Sequence, residues 1–206
     1  MPGDDRLTAA ILVGGQSRRM GTNKALATIH PDGTTVVESV VRALRQVADE
    51  IVLVGSDGVA GNYTFLDLPW VADIFPGTGP LGGIHSALTG TGNSHLLVVA
   101  CDMPFLNVDL LRHMMSLPRD YDVLVPVIGQ PQPLHAVYAR SCVPLIAESL
   151  NQGRYKVSGW FKSANVRTIE ESVVAQFDPS LRSSFNVNTP EDLALARTFI
   201  SARDGL

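Results

Sequence analysis

The chain of 206 residues is poor in cysteine, in aromatic side chains and in charge. Its two cysteines, Cys101 and Cys142, form no C-x-x-C, and no His/Cys cluster has zinc spacing. That excludes a disulfide scaffold and a zinc-ribbon reading. Only 17% of the residues are charged and the net charge is −4, so the overall basic field expected of a general nucleic-acid binder is missing. No stretch approaches the ~20 apolar residues of a membrane span. The first residues, Met1-Pro-Gly-Asp-Asp-Arg6, carry acids where a signal peptide carries bases. These absences lead to the expectation of a cytoplasmic protein with neither nucleic acid nor membrane as partner. The length and the 45% hydrophobic content predict one domain over residues 1–206, with its core at about 7–200.

What is present is concentrated near the start. Residues 8–13 are an apolar run that predicts a buried strand, followed at once by Gly14-Gly-Gln-Ser-Arg-Arg-Met-Gly-Thr-Asn-Lys24. Glycines let a backbone bend tightly and approach a ligand closely, and their free N–H groups can form an anion-binding concavity. Arg18, Arg19 and Lys24 add positive charge to the same loop. The combination suits a polyphosphate; the plainer alternative is a surface loop with solvated charges. It is not a P-loop, because five residues separate Gly15 from Gly21 and Lys24 is followed by Ala25.

Strand-like and helical patterns then alternate. Helices are predicted over 36–47, 81–88, 106–117, 141–150 and 190–201, and strands over 50–54, 95–100 and 121–126, with a short extended segment around 69–72. The alternation predicts an α/β fold with a mainly parallel sheet. Residues 133–138 alternate in polarity and predict an antiparallel strand.

In such sheets ligands bind beyond the carboxyl ends of the strands. Two carboxylates fall there besides the glycine-basic loop. Asp102 directly follows the most apolar strand, and Met103-Pro104 ends that strand behind it. A carboxylate facing a phosphate loop is how Mg²⁺ is commonly held, so Asp102 is the metal candidate. The alternative role, capping the next helix, falls more naturally to Asn107. Asp73 precedes the turn Pro76-Gly-Thr-Gly-Pro80 and can either accept from a base or ribose or organise that turn. Gly77, Gly79 and Gly82 match G-x-G-x-x-G with Asp102 twenty residues beyond, the dinucleotide-binding spacing and the runner-up reading, but no strand runs directly into them and Pro80 removes a donor N–H. Near the C-terminus, Thr189-Pro-Glu-Asp192 reads as a helix start. The alternating Asn186 and Asn188 are not explained by that start, and would share one face of a strand beside a metal or phosphate. His85 and His135 are candidate bases, though a lone histidine more often is packed or solvated, and Trp70 and Trp160 read as packing residues before ligand stackers. Arg154 and Lys156 fit either a phosphate-binding role or a solvated loop.

Taken together, these segments resemble a known group. Residues 12–24 resemble the L-x-G-G-x-S-x-R-M-G-x-x-K signature of molybdenum cofactor guanylyltransferases, the MobA family. Gly79-Pro-Leu-Gly-Gly-Ile84, Cys101-Asp-Met-Pro-Phe105, Pro133-Leu-His-Ala-Val-Tyr138 and Asn186-Val-Asn-Thr-Pro190 match further blocks in the same order. The resemblance implies a Rossmann-like nucleotidyltransferase fold of the nucleotide-diphospho-sugar transferase type. It implies transfer of GMP from GTP to molybdopterin or molybdenum cofactor, with Mg²⁺ as cofactor and pyrophosphate as the second product. Cofactor-delivering proteins and apo-molybdoenzymes are the partners it implies. Carried over residue by residue, Leu12, Val13, Gly14 and Gly15 would contact GTP, Arg18 and Lys24 would contact phosphate, Asp73 would bind nucleotide, and Asp102 would bind nucleotide and metal. Asn186 and Asn188 would lie beside the cofactor phosphate and the metal. Val13 stands where the family more usually has Ala. Two alternatives stay open: a cytidylyltransferase on the same cofactor, whose members show Ala-Ala-Gly where this chain has Val13-Gly14-Gly15, and a nucleotide-binding module without turnover.

Overall fold

The computed structural model describes residues 6–14 and 23–204. Strands β1 (Thr8–Leu12), β2 (Glu50–Gly55), β3 (Trp70–Ala72) and β4 (His95–Ala100) lie parallel in the order β3-β2-β1-β4. The sheet continues through β5 (Val123–Ile128), β6 (Gln130–Pro131), β7 (His135–Ala139) and β8 (Val166–Ile169). β7 is inserted antiparallel between β4 and β5, β6 folds back antiparallel on the end of β5, and β8 runs parallel to β5. The antiparallel strand expected around 133–138 is β7, displaced by a residue or two.

The central strands are apolar throughout because both faces of the sheet are covered, as parallel sheets require. Along β1, Ala9 and Ile11 enter one core layer and Ala10 and Leu12 the other. The first layer holds α1 (Val36–Leu44), the short α2 (Asp57–Ala60) with the 3₁₀ turn Gly61–Leu66 behind it, and later α4 (Val108–Ser116) and α6 (Glu171–Phe177). The second holds α3 (Pro80–Thr91) and α5 (Cys142–Asn151). The last helix, α7 (Pro190–Asp204), packs Ala196 and Ile200 on Ile29, Val36 and Val187 in a smaller cluster of its own.

Helix starts follow side-chain chemistry. Thr35 and Glu38 cap α1 reciprocally, with Glu38 Oε2 accepting from the Thr35 N–H at 2.7 Å. Asn107 Oδ1 accepts from the Leu110 N–H at 2.9 Å and caps α4, which leaves Asp102 without a capping role. Thr189 and Asp192 exchange bonds at 3.1 and 2.9 Å at the head of α7. Sequence patterning did not anticipate α2, the turn after it, β6, β8 or α6. These are short elements, and α6 buries only Val174. One expectation is corrected: Asn186 and Asn188 do not sit in a strand. The segment has no strand partner among the described residues: the Val187 N–H donates to the Asp102 carbonyl at 2.9 Å and the Asn188 N–H to Asp192 Oδ2 at 2.9 Å, so the alternation arises without a ladder.

Candidate active site

The carboxyl ends of β1, β2 and β4 open into a cleft of ≈ 1140 Å³. Its floor is Leu12, Val13 and Gly14 after β1, Val54, Gly55 and Ser56 after β2, and Ala100, Cys101 and Asp102 after β4. Asp73 and the Gly77–Gly79–Pro80 turn bound it from the β3 side; Leu134, Asn186 and Asn188 bound it from the β7 side. The volume exceeds that of an ordinary single-ligand pocket, which runs to about 1,000 Å³.

Lys24 stands at the centre of the polar contacts. Its Nζ donates to Asp102 Oδ2 at 2.5 Å and to Asn188 Oδ1 at 2.5 Å. These side chains come from three distant parts of the chain. The amine leaves a tight turn: Asn23 Oδ1 accepts from the Ala25 N–H at 3.2 Å, and Ala25 is fully buried. Asp102 is 9% exposed, and its Oδ1 is buried with no hydrogen-bond partner among the described residues. A buried carboxylate oxygen in that state is an acceptor in need of a donor or a cation. Through the bond to Val187, the Asp102 backbone holds the segment that carries both asparagines. Asn186 Nδ2 donates to the Ser184 carbonyl at 2.9 Å.

Asp73 organises its turn and lines the cleft at once. Its Oδ1 accepts from the Phe75 N–H at 3.0 Å and lies 3.1 Å from Ser86 Oγ. Ser86 Oγ in turn accepts from the Ile74 N–H at 2.8 Å.

Glycine shapes the walls in two places. A Cβ at Gly55 would meet the Val13 carbonyl oxygen at 2.2 Å, so the ends of β1 and β2 approach as they do only because no side chain intervenes. Gly79 has φ +71°, a left-handed conformation, and is followed by Pro80 at the first turn of α3. The G-x-G-x-x-G match is thereby explained as a wall: β3 ends at Ala72, a turn intervenes, and a Cβ at Gly82 would strike Thr78 Oγ1 at 2.2 Å.

Among the residues expected at the site, Leu12, Val13, Gly14, Lys24, Asp73, Asp102, Asn186 and Asn188 all line this one cleft. Gly15, Arg18 and Arg19 lie outside the described residues. Ser56, Gly55 and Leu134 were not anticipated; the Gly-Ser step ending β2 was the available signal.

The remaining candidates lie elsewhere. Burial holds the His85 imidazole below its ordinary pKa, against the opposing pull of Asp73, and the ring packs edge-on to Phe75 at 4.9 Å. His135 is fully buried and its pKa is pushed down to about 4. Neither lines the cleft, and neither do Arg154 and Lys156, which are exposed. Trp70 Nε1 donates to Asp57 at 3.3 Å, and Trp160 is buried against Tyr138 and Phe161. Burial raises the Cys101 thiol to about 12, so it is protonated and no nucleophile. The cleft is therefore equipped for charge: an ammonium, a carboxylate with a free buried oxygen, amide side chains and a glycine floor. That set can hold a polyanion with a divalent cation.

Known proteins resemble this chain in sequence and in fold. Residues 9–167 match the model of the MobA-like NTP transferase domain. A probable molybdenum cofactor guanylyltransferase of Pelotomaculum thermopropionicum is 42% identical over 191 residues, 92% of this chain and 91% of its own length. The molybdenum cofactor guanylyltransferase of Desulfosudis oleivorans is 35% identical, over 96% of this chain and 98% of its own. A crystal structure of molybdopterin-guanine dinucleotide biosynthesis protein A from Archaeoglobus fulgidus superimposes with a TM-score of 0.83 at 30% identity, covering 95% of this chain and all of that one.

Proposed function

The chain belongs to the family of MobA-like NTP transferases, and from that premise we propose that it transfers GMP from GTP to molybdopterin or molybdenum cofactor, releasing pyrophosphate. The observation that carries the proposal is the convergence of Lys24, Asp102 and Asn188 over a glycine-lined floor at the strand ends.

A terminal phosphate oxygen of the acceptor attacks the α-phosphorus of GTP. A new P–O bond forms as the bond to pyrophosphate breaks in line. The acceptor phosphate is already ionised at neutral pH, so no strong general base is required, in keeping with two buried histidines that take no part. What the reaction needs is positioning and charge neutralisation. Lys24 supplies a cation among the phosphates. Arg18 and Gly15 belong to the same proposed phosphate loop. Leu12, Val13 and Gly14 offer backbone to the nucleotide beyond β1, Asp73 faces its base or ribose, and Asn186 and Asn188 flank the acceptor phosphate. Asp102 is the residue to hold Mg²⁺, and its unpartnered Oδ1 fits that use. When bound there, the ion neutralises charge on the phosphates. The large cleft has room for nucleotide and acceptor together.

No helix among the described residues is long and apolar enough to cross a membrane. We place the reaction in the cytoplasm, carried by one domain, with cofactor-delivering proteins and apo-molybdoenzymes as partners.

Pyrophosphate release from GTP, measured with and without molybdopterin, tests the proposal. Release should depend on the acceptor. Lys24→Ala should slow it by about 100-fold, the scale of losing one charge-stabilising group. Full turnover by Lys24→Ala would contradict the assignment.

A further inference from the structure

Lys24 reaches Asp102 and Asn188 from a tight turn, and a side chain from another part of the fold bonds to that turn. Tyr63, in the 3₁₀ turn between α2 and β3, is 3% exposed and belongs to the core layer beneath β1. Its hydroxyl accepts from Asn23 Nδ2 at 2.9 Å. The direction of that bond is fixed, because Asn23 Oδ1 is already used by the Ala25 N–H, which leaves the amide NH₂ to face Tyr63. Asn23 also starts the turn through its backbone: its carbonyl accepts from the Leu26 N–H at 3.0 Å, and the Lys24 carbonyl accepts from the Ala27 N–H at 3.2 Å. Every polar group of Asn23 except its own N–H is thus spent on fixing the residue beside Lys24. Burial raises the Tyr63 phenol to about 12, so it remains a neutral hydroxyl at any working pH.

We infer that the Tyr63–Asn23 pair is a positioning device for Lys24: it clamps the root of the phosphate-contacting lysine to the core, from a residue that touches no substrate. The inference rests on the reading of Lys24 as a phosphate contact. A lysine carries a long flexible stem with large rotamer entropy. A rigid root removes the backbone part of that freedom before the nucleotide arrives, which is preorganisation.

The test is the affinity for GTP and for guanosine, measured by calorimetry on the parent protein, Tyr63→Phe, Asn23→Ser and Lys24→Met, with the melting temperature of each. Tyr63→Phe removes the acceptor alone and keeps the ring. Asn23→Ser keeps a capping oxygen and loses the reach to Tyr63. Each should weaken GTP binding about three- to tenfold, the scale of one hydrogen bond. The double variant should be no weaker than the weaker single one. Guanosine, which lacks phosphates, should bind each variant as it binds the parent. Should Tyr63→Phe fail to fold, Asn23→Ser carries the same comparison. Unchanged GTP affinity would overturn the inference, as would an equal loss for guanosine, which marks general disturbance of the cleft. If Lys24→Met itself binds GTP as tightly as the parent, the phosphate reading fails first and this inference with it.

Discussion

A single amine is shared between two acceptors at the heart of the cleft. Lys24 gives its ammonium protons to Asp102 and Asn188, while Asp102 Oδ1 is buried without a donor among the described residues. The two residues should therefore respond differently to a metal. With Mn²⁺ as a spectroscopic substitute, Asp102→Ala should weaken metal binding in the presence of GTP by about tenfold or more, since a hard cation loses its protein oxygen. Equal Mn²⁺ affinity in Asp102→Ala and parent would exclude Asp102 as the ligand. At Gly55 the constraint is steric. Its missing Cβ would lie 2.2 Å from the Val13 carbonyl oxygen, a backbone atom that cannot swing aside. Gly55→Ala should cost about 1–3 kcal/mol as overpacking and lower the melting temperature by about 5 °C. An unchanged melting temperature would show that β1 and β2 can separate there.

Elements differ in how openly the chain announces them. β1, β2 and β4 are continuous apolar runs because helices cover both their faces, and such runs are visible without a structure. The caps at Asn107 and Thr189 are equally legible, since their side chains do locally what the sequence suggests. β8 and α6 are not. β8 has a single buried residue, Ile169, and α6 only Val174, so neither has a period long enough to recognise. The Asn-x-Asn segment misleads for another reason: alternation normally marks a strand, yet here a bond from the Val187 N–H to the Asp102 carbonyl, beyond β4, joins it to the site without a ladder. The head of α7 abuts this segment through the Asn188 N–H, which donates to Asp192 at 2.9 Å. Thr189→Ala should lose about 1 kcal/mol of cap energy, read as a lower unfolding midpoint in urea. If the midpoint does not move, the cap contributes nothing to stability.

Across the whole molecule, the site was legible as residue types but not as a neighbourhood. Lys24, Asp102 and Asn188 each stand out beside a strand end or helix start, while their contacts join positions 78 and 164 residues apart. Only the sheet order brings them together, and Tyr63 carries no local mark at all. A second property of the whole fold is its response to acid. His135 is fully buried with both ring nitrogens unpartnered among the described residues, and burial outweighs the nearby Asp178 to hold its pKa near 4 against the ordinary 6.5. The unfolded chain therefore takes up a proton that the folded chain refuses. Stability is full above about pH 6.5 and falls by about 3 kcal/mol as the pH drops towards 4. Burial lowers His85 and His95 in the same direction. Denaturant titrations at a series of pH values should show this slope, and His135→Gln should flatten it; a slope identical in both proteins would mean that other groups drive acid unfolding.

The claim that the cleft joins guanylate to a molybdopterin phosphate is tested most directly by product identity. The protein is incubated without oxygen with molybdopterin, Mg²⁺ and equal amounts of GTP, CTP, ATP and UTP, and the products are weighed by mass spectrometry. The account predicts the guanine dinucleotide of the cofactor together with pyrophosphate. A cytosine dinucleotide, or no dinucleotide from a protein that demonstrably binds GTP, would contradict it.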